Sequence, residues 1–325
     1  MIVVSHLTKR YGTHVAVDDV SFAVRKGEVL GFLGPNGAGK SSTLRILAGF
    51  LGPTGGTVTV DGHDVVAESF EARRSIGYMP ESVPLYPEMR VVEYLHFRAE
   101  LKRVPRSRRA SHVDEALRKA GVVDVAHKRI GHLSKGYRQR VGLADAVVAR
   151  PPIVILDEPT AGLDPNQIRE ARALIRDLGR EHTVIVSTHI LGEVEACATR
   201  VLLLHRGKLA AEGTTDEIRA MRGGTGAEIV VRGGAHEAER ALLGTPRVTR
   251  AASTSAGAGT VRLEATFEAG LSPAERAGVV EACVAALVGA GLGVQEVRTG
   301  GGSLEDVFAS LTAEANGPPE SGAAA

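Results

Sequence analysis

The sequence predicts an α/β fold with an antiparallel β subdomain, a helical insertion and a small carboxy-terminal α+β domain. Three observations predict it. The apolar run Val29-Leu30-Gly31-Phe32-Leu33 leads into a glycine-rich stretch, Gly34-Pro35-Asn36-Gly37-Ala38-Gly39-Lys40-Ser41-Ser42, and then into helical spacing over Thr43–Ala48 that stops at Gly49. Two further apolar runs, Ile153-Val154-Ile155-Leu156 and Thr183-Val184-Ile185-Val186, end in Asp157-Glu158 and near His189, as strands buried on both faces of a parallel sheet do. Composition then shifts at Gly223-Gly224-Thr225-Gly226, beyond which short strand and helix signals alternate.

The glycine-rich stretch has the spacing of a phosphate-binding loop, which makes the first part of the chain a P-loop NTPase core. Its glycines permit a tight turn, so that successive backbone N–H groups and the positive end of the next helix converge on an anion. Lys40 then reaches the β- and γ-phosphates of ATP, and Ser41 offers its hydroxyl to Mg²⁺. A glycine-rich turn that merely ended a strand would not need this strand, loop and helix context.

The whole chain sets bounds on function. At 325 residues it has room for two or three domains, and with 43% hydrophobic and 24% charged residues it has the composition of a soluble protein with a real core. No window approaches eighteen uninterrupted apolar residues, and Met1–His6 has no secretory pattern, so the chain is expected in the cytoplasm without itself crossing a membrane. A net charge of +1 offers no global attraction to nucleic acid. The basic run Lys102–Arg109 reads as a solvated helix–helix connection, with an anionic lipid surface or an acidic partner as its alternative. Cys197 and Cys283 lack metal-ligand spacing and are expected to be buried and reduced.

In order, Ile2–Val4 and Val15–Phe22 read as antiparallel strands, with Tyr11 in the turn between them placed to stack on a base. Thr57–Val60 is a strand, Phe70–Ser75 a short helix, and Ile76–Met79 a buried strand that ends at Pro80-Glu81. Helical spacing from Val91 to about Ala126 marks the insertion, which spans about 82–150. Ser134 is a good N-cap for the helix that follows, which makes a second helix amino terminus with free N–H groups. Asp157 and Glu158 fall at the carboxyl edge of the parallel sheet, where Asp157 can hold Mg²⁺ through water and Glu158 can polarise a water for attack on the γ-phosphate. His189 falls on the same edge as a candidate γ-phosphate sensor. Val201–His205 and Lys208–Ala211 are strands, and a last helix of the core begins at Gly213-Thr214-Thr215. Residues 228–232, 236–243, 247–251, 261–267, 273–289 and 294–298 then read as strand, helix, strand, strand, helix and strand, a split βαβ arrangement. A terminal helix over Ser303–Leu311 and a disordered tail from Glu314 complete the chain.

This order of motifs resembles the ATP-binding subunit of an ABC transporter over residues 1–222, leaving 225–313 as an accessory domain and 314–325 as the tail. The loop matches Gly34–Ser41, the signature Leu133–Tyr137, the Asp and catalytic Glu Asp157 and Glu158, the D-loop Ala161–Asp164 and the switch histidine His189; Tyr11 matches the aromatic that stacks on adenine. The resemblance implies two copies, as a homodimer, closing head to tail so that Ser134 and the Gly136 backbone of one reach the γ-phosphate held by the other. It also implies a multi-spanning membrane permease as partner, a place on the inner face of the cell membrane, and no nucleic-acid partner.

The signature here reads Leu-Ser-Lys-Gly-Tyr where the family commonly has Leu-Ser-Gly-Gly-Gln, and Glu81 stands where most members have a metal-coordinating glutamine. Glu81 is thus a candidate Mg²⁺ ligand. The short insertion, Pro80-Glu81 and the ending Leu304-Glu305-Asp306-Val307-Phe308 look most like the exporter branch that handles drugs, antibiotics or cell-surface molecules and includes subunits linked to gliding and copper-enzyme maturation. The alternatives are a soluble ATPase of this type acting on ribosomes or DNA, and a nucleotide-gated assembly protein.

Overall fold

The computed structural model describes residues 1–215, 217–218, 226–257, 259–268 and 271–299. The chain divides into two compact units, Met1–Thr214 and one that begins at Thr215. The composition shift at Gly223–Gly226, the terminal helix over 303–311 and the tail from 314 lie wholly or largely outside the described residues, as does most of the helix expected after Gly213.

In the first unit the apolar runs do form a parallel sheet. β3 (Val29–Leu33), β7 (Ile153–Asp157) and β8 (Thr183–Thr188) are buried at every position, which is why their sequences show no alternation. The sheet order is β10-β9-β3-β8-β7-β6, with β6 (Ile76–Met79) and β9 (Arg200–His205) parallel to the others and only β10 (Lys208–Gly213) reversed. A separate antiparallel sheet, β2-β1-β4-β5, holds β1 (Ile2–Tyr11), β2 (His14–Val24), β4 (Gly55–Val60) and β5 (His63–Asp64). α1 (Lys40–Leu47) packs with both sheets, and Phe22 of β2 meets Phe32 of β3 edge to face at 5.3 Å. Such a pair adds about 1 kcal/mol beyond the area it buries.

The parallel register decides where the site lies. Leu33 pairs with Thr188, Asp157 with Ser187 and Leu156 with Met79, so β3, β6, β7 and β8 all end at one sheet edge. Ligands bind at that edge in open α/β sheets.

After α2 (Ser69–Arg74) and β6, the insertion resolves into α3 (Val91–Leu101), α4 (Arg106–Lys119) and α5 (Lys135–Val147). The helical pattern read from Val91 to Ala126 is broken in the structure at Arg103, whose φ is +57°, and at Pro105, the N-cap of α4. The basic run is only partly the solvated connection expected. Lys102 turns inward onto Asp145, Arg109 pairs with Glu100, and Arg103 stacks 4.7 Å from the Phe70 ring centroid. Asp145 accepts from Arg98 Nε at 2.9 Å and from the Tyr94 hydroxyl at 3.3 Å, tying α3 to α5. Burial alone would raise the Asp145 carboxyl, but Lys102 and Arg98 outweigh it and hold it below the usual carboxylate range.

α6 (Pro165–Leu178) starts cleanly, because Asp164 accepts from Asn166 and Gln167 N–H at 2.9 and 3.0 Å and Pro165 pre-sets the first turn. α7 (Leu191–Cys197) follows β8. Cys197 is half-buried rather than fully buried, Cys283 is buried, and both are free thiols.

The second unit is a βαββαβ module of β11 (Gly226–Arg232), α8 (Ala235–Leu243), β12 (Val248–Gly257), β13 (Thr260–Phe267), α9 (Pro273–Gly289) and β14 (Gly293–Thr299). Its antiparallel sheet order, β12-β13-β11-β14, is the split βαβ arrangement the element order suggested. Strict alternation of buried and open positions along β13 gives it one apolar face, and α9 begins with a capping box between Ser272 and Glu275.

Removing the Asp145 charge leaves two cations in the α3–α5 contact without their carboxylate. Asp145→Asn is expected to destabilise the first unit by about 2–3 kcal/mol, less than a fully buried pair because Arg98 stays partly exposed. Urea unfolding measures this. Since the carboxyl is held below the usual aspartate range, its contribution is complete above that range and is lost as pH falls through the lower folded value, so wild type and variant should converge in acid.

Candidate functional site

The loop Gly34–Ser42 joins β3 to α1 beside a cleft of about 480 Å³, within the range of small-molecule sites. Tyr11, Pro35, Asn36, Gly37, Ala38, Gly39, Lys40, Ser41, Ser42, Glu81, Glu158 and His189 all line it. Gly34 sits at the loop's root rather than on the cleft wall. Gly39 has a φ of +100°, and a Cβ there would lie 2.4 Å from the Ala16 carbonyl oxygen, so only glycine lets this loop pass the antiparallel sheet. It also caps α1 without a side-chain acceptor, leaving first-turn N–H groups for a ligand.

Three charged groups meet behind the loop. Lys40 is 5% exposed, with its ammonium donating to the Gly34 and Pro35 carbonyls at 2.7 and 3.3 Å and lying 3.3 Å from Glu158 Oε1. Glu158 is 6% exposed, and its other oxygen, Oε2, lies 2.9 Å from His189 Nδ1. Asp157 is 1% exposed, and its Oδ1 accepts from the Ser187 hydroxyl at 2.6 Å and the Ser41 hydroxyl at 3.2 Å. These are not solvated turn carboxylates. At the edge of the cleft, Tyr11 is 46% exposed, with its hydroxyl 3.4 Å from Ser42 Oγ and the Lys9 ammonium 5.2 Å from its ring centroid.

Asp157 Oδ2 is buried with no hydrogen-bond partner, an orphan acceptor beside the Ser41 hydroxyl. Oxygen donors and an excess of negative charge over Lys40 suit a hard divalent cation. Among the described residues no three His, Cys, Asp or Glu side chains are grouped to hold a metal. The orphan Oδ2 and the Ser41 hydroxyl beside it fit Mg²⁺, which keeps waters and phosphate oxygens as ligands rather than an all-protein cage. Glu81, after β6, is exposed and lines the cleft. Nearby, burial and then the Asp157 carboxylate push the Tyr78 hydroxyl up to about 12, which keeps it protonated.

Ser134 and Gly136 are not brought to this cleft. Ser134 caps α5 by accepting from Tyr137 N–H at 3.4 Å. Gly136 lies so close to Gln167 of α6 that a Cβ would sit 2.8 Å from its side chain. The two unusual signature residues are anchored within the chain: the Tyr137 hydroxyl donates to Asp124 at 2.7 Å, and the Lys135 ammonium lies against Gly162 of the D-loop.

A family model for ABC transporters matches residues 17–161. The chain is 38% identical, over 67% of its length and 72% of the relative's, to the uncharacterized ABC transporter ATP-binding protein YxlF of Bacillus subtilis. The chain belongs to the ABC transporter ATP-binding family. It is also 37% identical to the bacitracin transport ATP-binding protein BcrA of Bacillus licheniformis, over 67% of this chain and 71% of that one. A solved dimeric structure of the ATP-binding cassette MJ0796, in a post-hydrolysis state with ADP and Pi, superposes with a TM-score of 0.60 at 27% identity, covering 66% of this chain and 98% of that one. As a member of this family, the ABC unit binds and hydrolyses ATP.

One residue of the ABC unit's site escaped sequence reading. Ser187 precedes Thr188-His189 in an all-buried strand, and a hydroxyl in such a place must find partners. That requirement was the available signal. Lys40→Ala deletes the buried ammonium at the foot of the loop, so ATP affinity is expected to fall by about 10-fold or more, as loss of a charge-assisted hydrogen bond implies. A nucleotide titration that found wild-type affinity would contradict this placement of the loop.

Proposed function

We propose that the chain is the ATPase of an exporter, acting as a homodimer against a separate multi-spanning permease at the inner face of the cell membrane. The substrate class proposed is drugs or antibiotics, on the likeness to a bacitracin transport protein. The observation that carries the mechanism is the split between the two anion-facing elements: the loop and Glu158 line one cleft, while the Ser134 end of α5 lies outside it. A site complete in one chain would bring them together. Two copies arranged head to tail supply each cleft with the other's α5 terminus, as the resemblance implies, and no described helix is long and apolar enough to cross a membrane itself.

In this reading ATP lies on the loop with its base against Tyr11. Lys40 turns from Glu158 to the β- and γ-phosphates, which leaves Glu158 Oε1 to accept a proton from the attacking water. His189 stays on Oε2, keeps the carboxylate oriented and is carried to the γ-phosphate side. Bound near Ser41 and Asp157, Mg²⁺ would neutralise charge that builds on the phosphate oxygens. Glu81, also lining the cleft, joins as a further carboxylate. Ser134 Oγ and the Gly136 N–H of the second copy complete the γ-phosphate contacts.

Glu158→Gln keeps the shape of the side chain but removes the base. Hydrolysis should fall about 100-fold or more while ATP binding persists, and the ATP-bound dimer should accumulate on a sizing column. A variant that remains monomeric with ATP and Mg²⁺ would contradict the two-copy site. Recovery of ribosomes or nucleic acid, and no membrane protein, from gently solubilised membranes would overturn the exporter reading. For Glu81, a titration of ATP with and without Mg²⁺ decides: Glu81→Gln should weaken the metal dependence with a smaller loss of turnover than Glu158→Gln, whereas unchanged dependence removes Glu81 from the metal.

A further inference from the structure

We propose that Ser187 is a positioning residue of the ATPase site, its hydroxyl tying the Asp157 side chain to the Glu158 backbone so that one group sets both carboxylates. The inference rests on the reading of Asp157 as the metal-facing group and Glu158 as the base.

Ser187 is 0% exposed, one residue from the carboxyl end of β8. A hydroxyl has one proton to give and lone pairs to receive, and here both are used toward the site. It donates to Asp157 Oδ1 at 2.6 Å, the short distance of a charge-assisted bond, and accepts from the Glu158 N–H at 2.9 Å. The same Glu158 N–H lies 3.2 Å from the Ser187 backbone carbonyl. Ser187 therefore holds the amide from two directions at the point where the chain leaves β7.

That point is strained. Glu158 has a φ of +47°, in the left-handed region that residues with a Cβ seldom adopt, and such conformations persist where surrounding contacts over-determine them. The turn is what swings the Glu158 side chain from the buried line of β7 to Lys40 and His189. Without it, a residue following Asp157 in extended conformation would project to the other side of the sheet.

The fold does not need the hydroxyl. Val184, Ile185 and Val186 fill the preceding positions of β8 with apolar side chains, and the ladder to β7 is made by backbone groups. The site does need it. Apart from Ser187, the hydrogen bond on Asp157 Oδ1 comes from Ser41, the side chain that would turn to Mg²⁺. With Ser41 so engaged, Ser187 is what keeps Oδ1 fixed and the orphan Oδ2 in place. Neither contact touches the Glu158 carboxylate or the loop, so loss of the hydroxyl is felt in metal dependence and turnover, not in metal-free nucleotide binding.

The test compares the full chain with its Ser187→Ala and Ser187→Thr variants by ATP calorimetry in EDTA and in Mg²⁺, steady-state hydrolysis and thermal unfolding. In Ser187→Ala, affinity in EDTA should stay within about twofold of wild type, the gain on adding Mg²⁺ should shrink, and kcat should fall about 10- to 100-fold with KM little changed, as for other partners that orient a metal-facing group. Ser187→Thr keeps the hydroxyl and should recover most of the loss. Wild-type kcat and metal gain in Ser187→Ala would overturn the proposal, as would equal losses of affinity with and without Mg²⁺. A threonine variant that melts like wild type but turns over like the alanine one would also overturn it. Should the added methyl lower the melting temperature, the split seen in Ser187→Ala decides alone. If wild-type binding were indifferent to Mg²⁺, the underlying reading of the site would fall instead.

Discussion

Two adjacent carboxylates, Asp157 and Glu158, stand almost completely buried at the end of a strand whose other residues are apolar. Buried carboxylates need hydrogen-bond and charge partners, because their desolvation is costly. The surrounding structure supplies those partners: an ammonium from α1, hydroxyls from α1 and β8, and an imidazole after β8. Each comes from a different segment, and the parallel register is what delivers them to one edge. The phosphate loop, the base and the histidine are therefore one electrostatic unit. Lys40 balances Glu158 here, and in the proposed mechanism the phosphates claim Lys40, so that nucleotide binding and release of the base become one event.

The insertion answers a second need. In the proposed dimer α5 presents its amino terminus to the second copy while remaining part of its own chain. Asp145 near its carboxyl end locks it to α3 through Arg98, Lys102 and Tyr94, and Tyr137 near its start is tied to Asp124. The departures in the signature then have local explanations. Tyr137 is an anchor, and Lys135 lies over the D-loop glycine, linking the two segments that a second copy would meet.

Local sequence determined much of this protein. Continuous apolar runs marked the buried parallel strands, because a strand covered on both faces has no polar side to alternate with. The loop was legible because glycine is the one residue that fits positions such as Gly39, and Ser134 declared its helix because a cap acts over three residues. The element order of the second unit was readable for the same local reasons.

What only the tertiary structure decided are the contacts whose partners lie far apart in the chain. The reach of Ser187 to Asp157 spans 30 residues, that of Ser41 to Asp157 spans 116, and that of Arg98 to Asp145 spans 47. A basic run can be solvated or turned inward with the same composition, and Lys102 turned inward because a carboxylate 43 residues later was placed to receive it. Spacing along a chain encodes the geometry of one helix or strand, whereas these pairings depend on the order of strands in the sheet, which no single stretch contains.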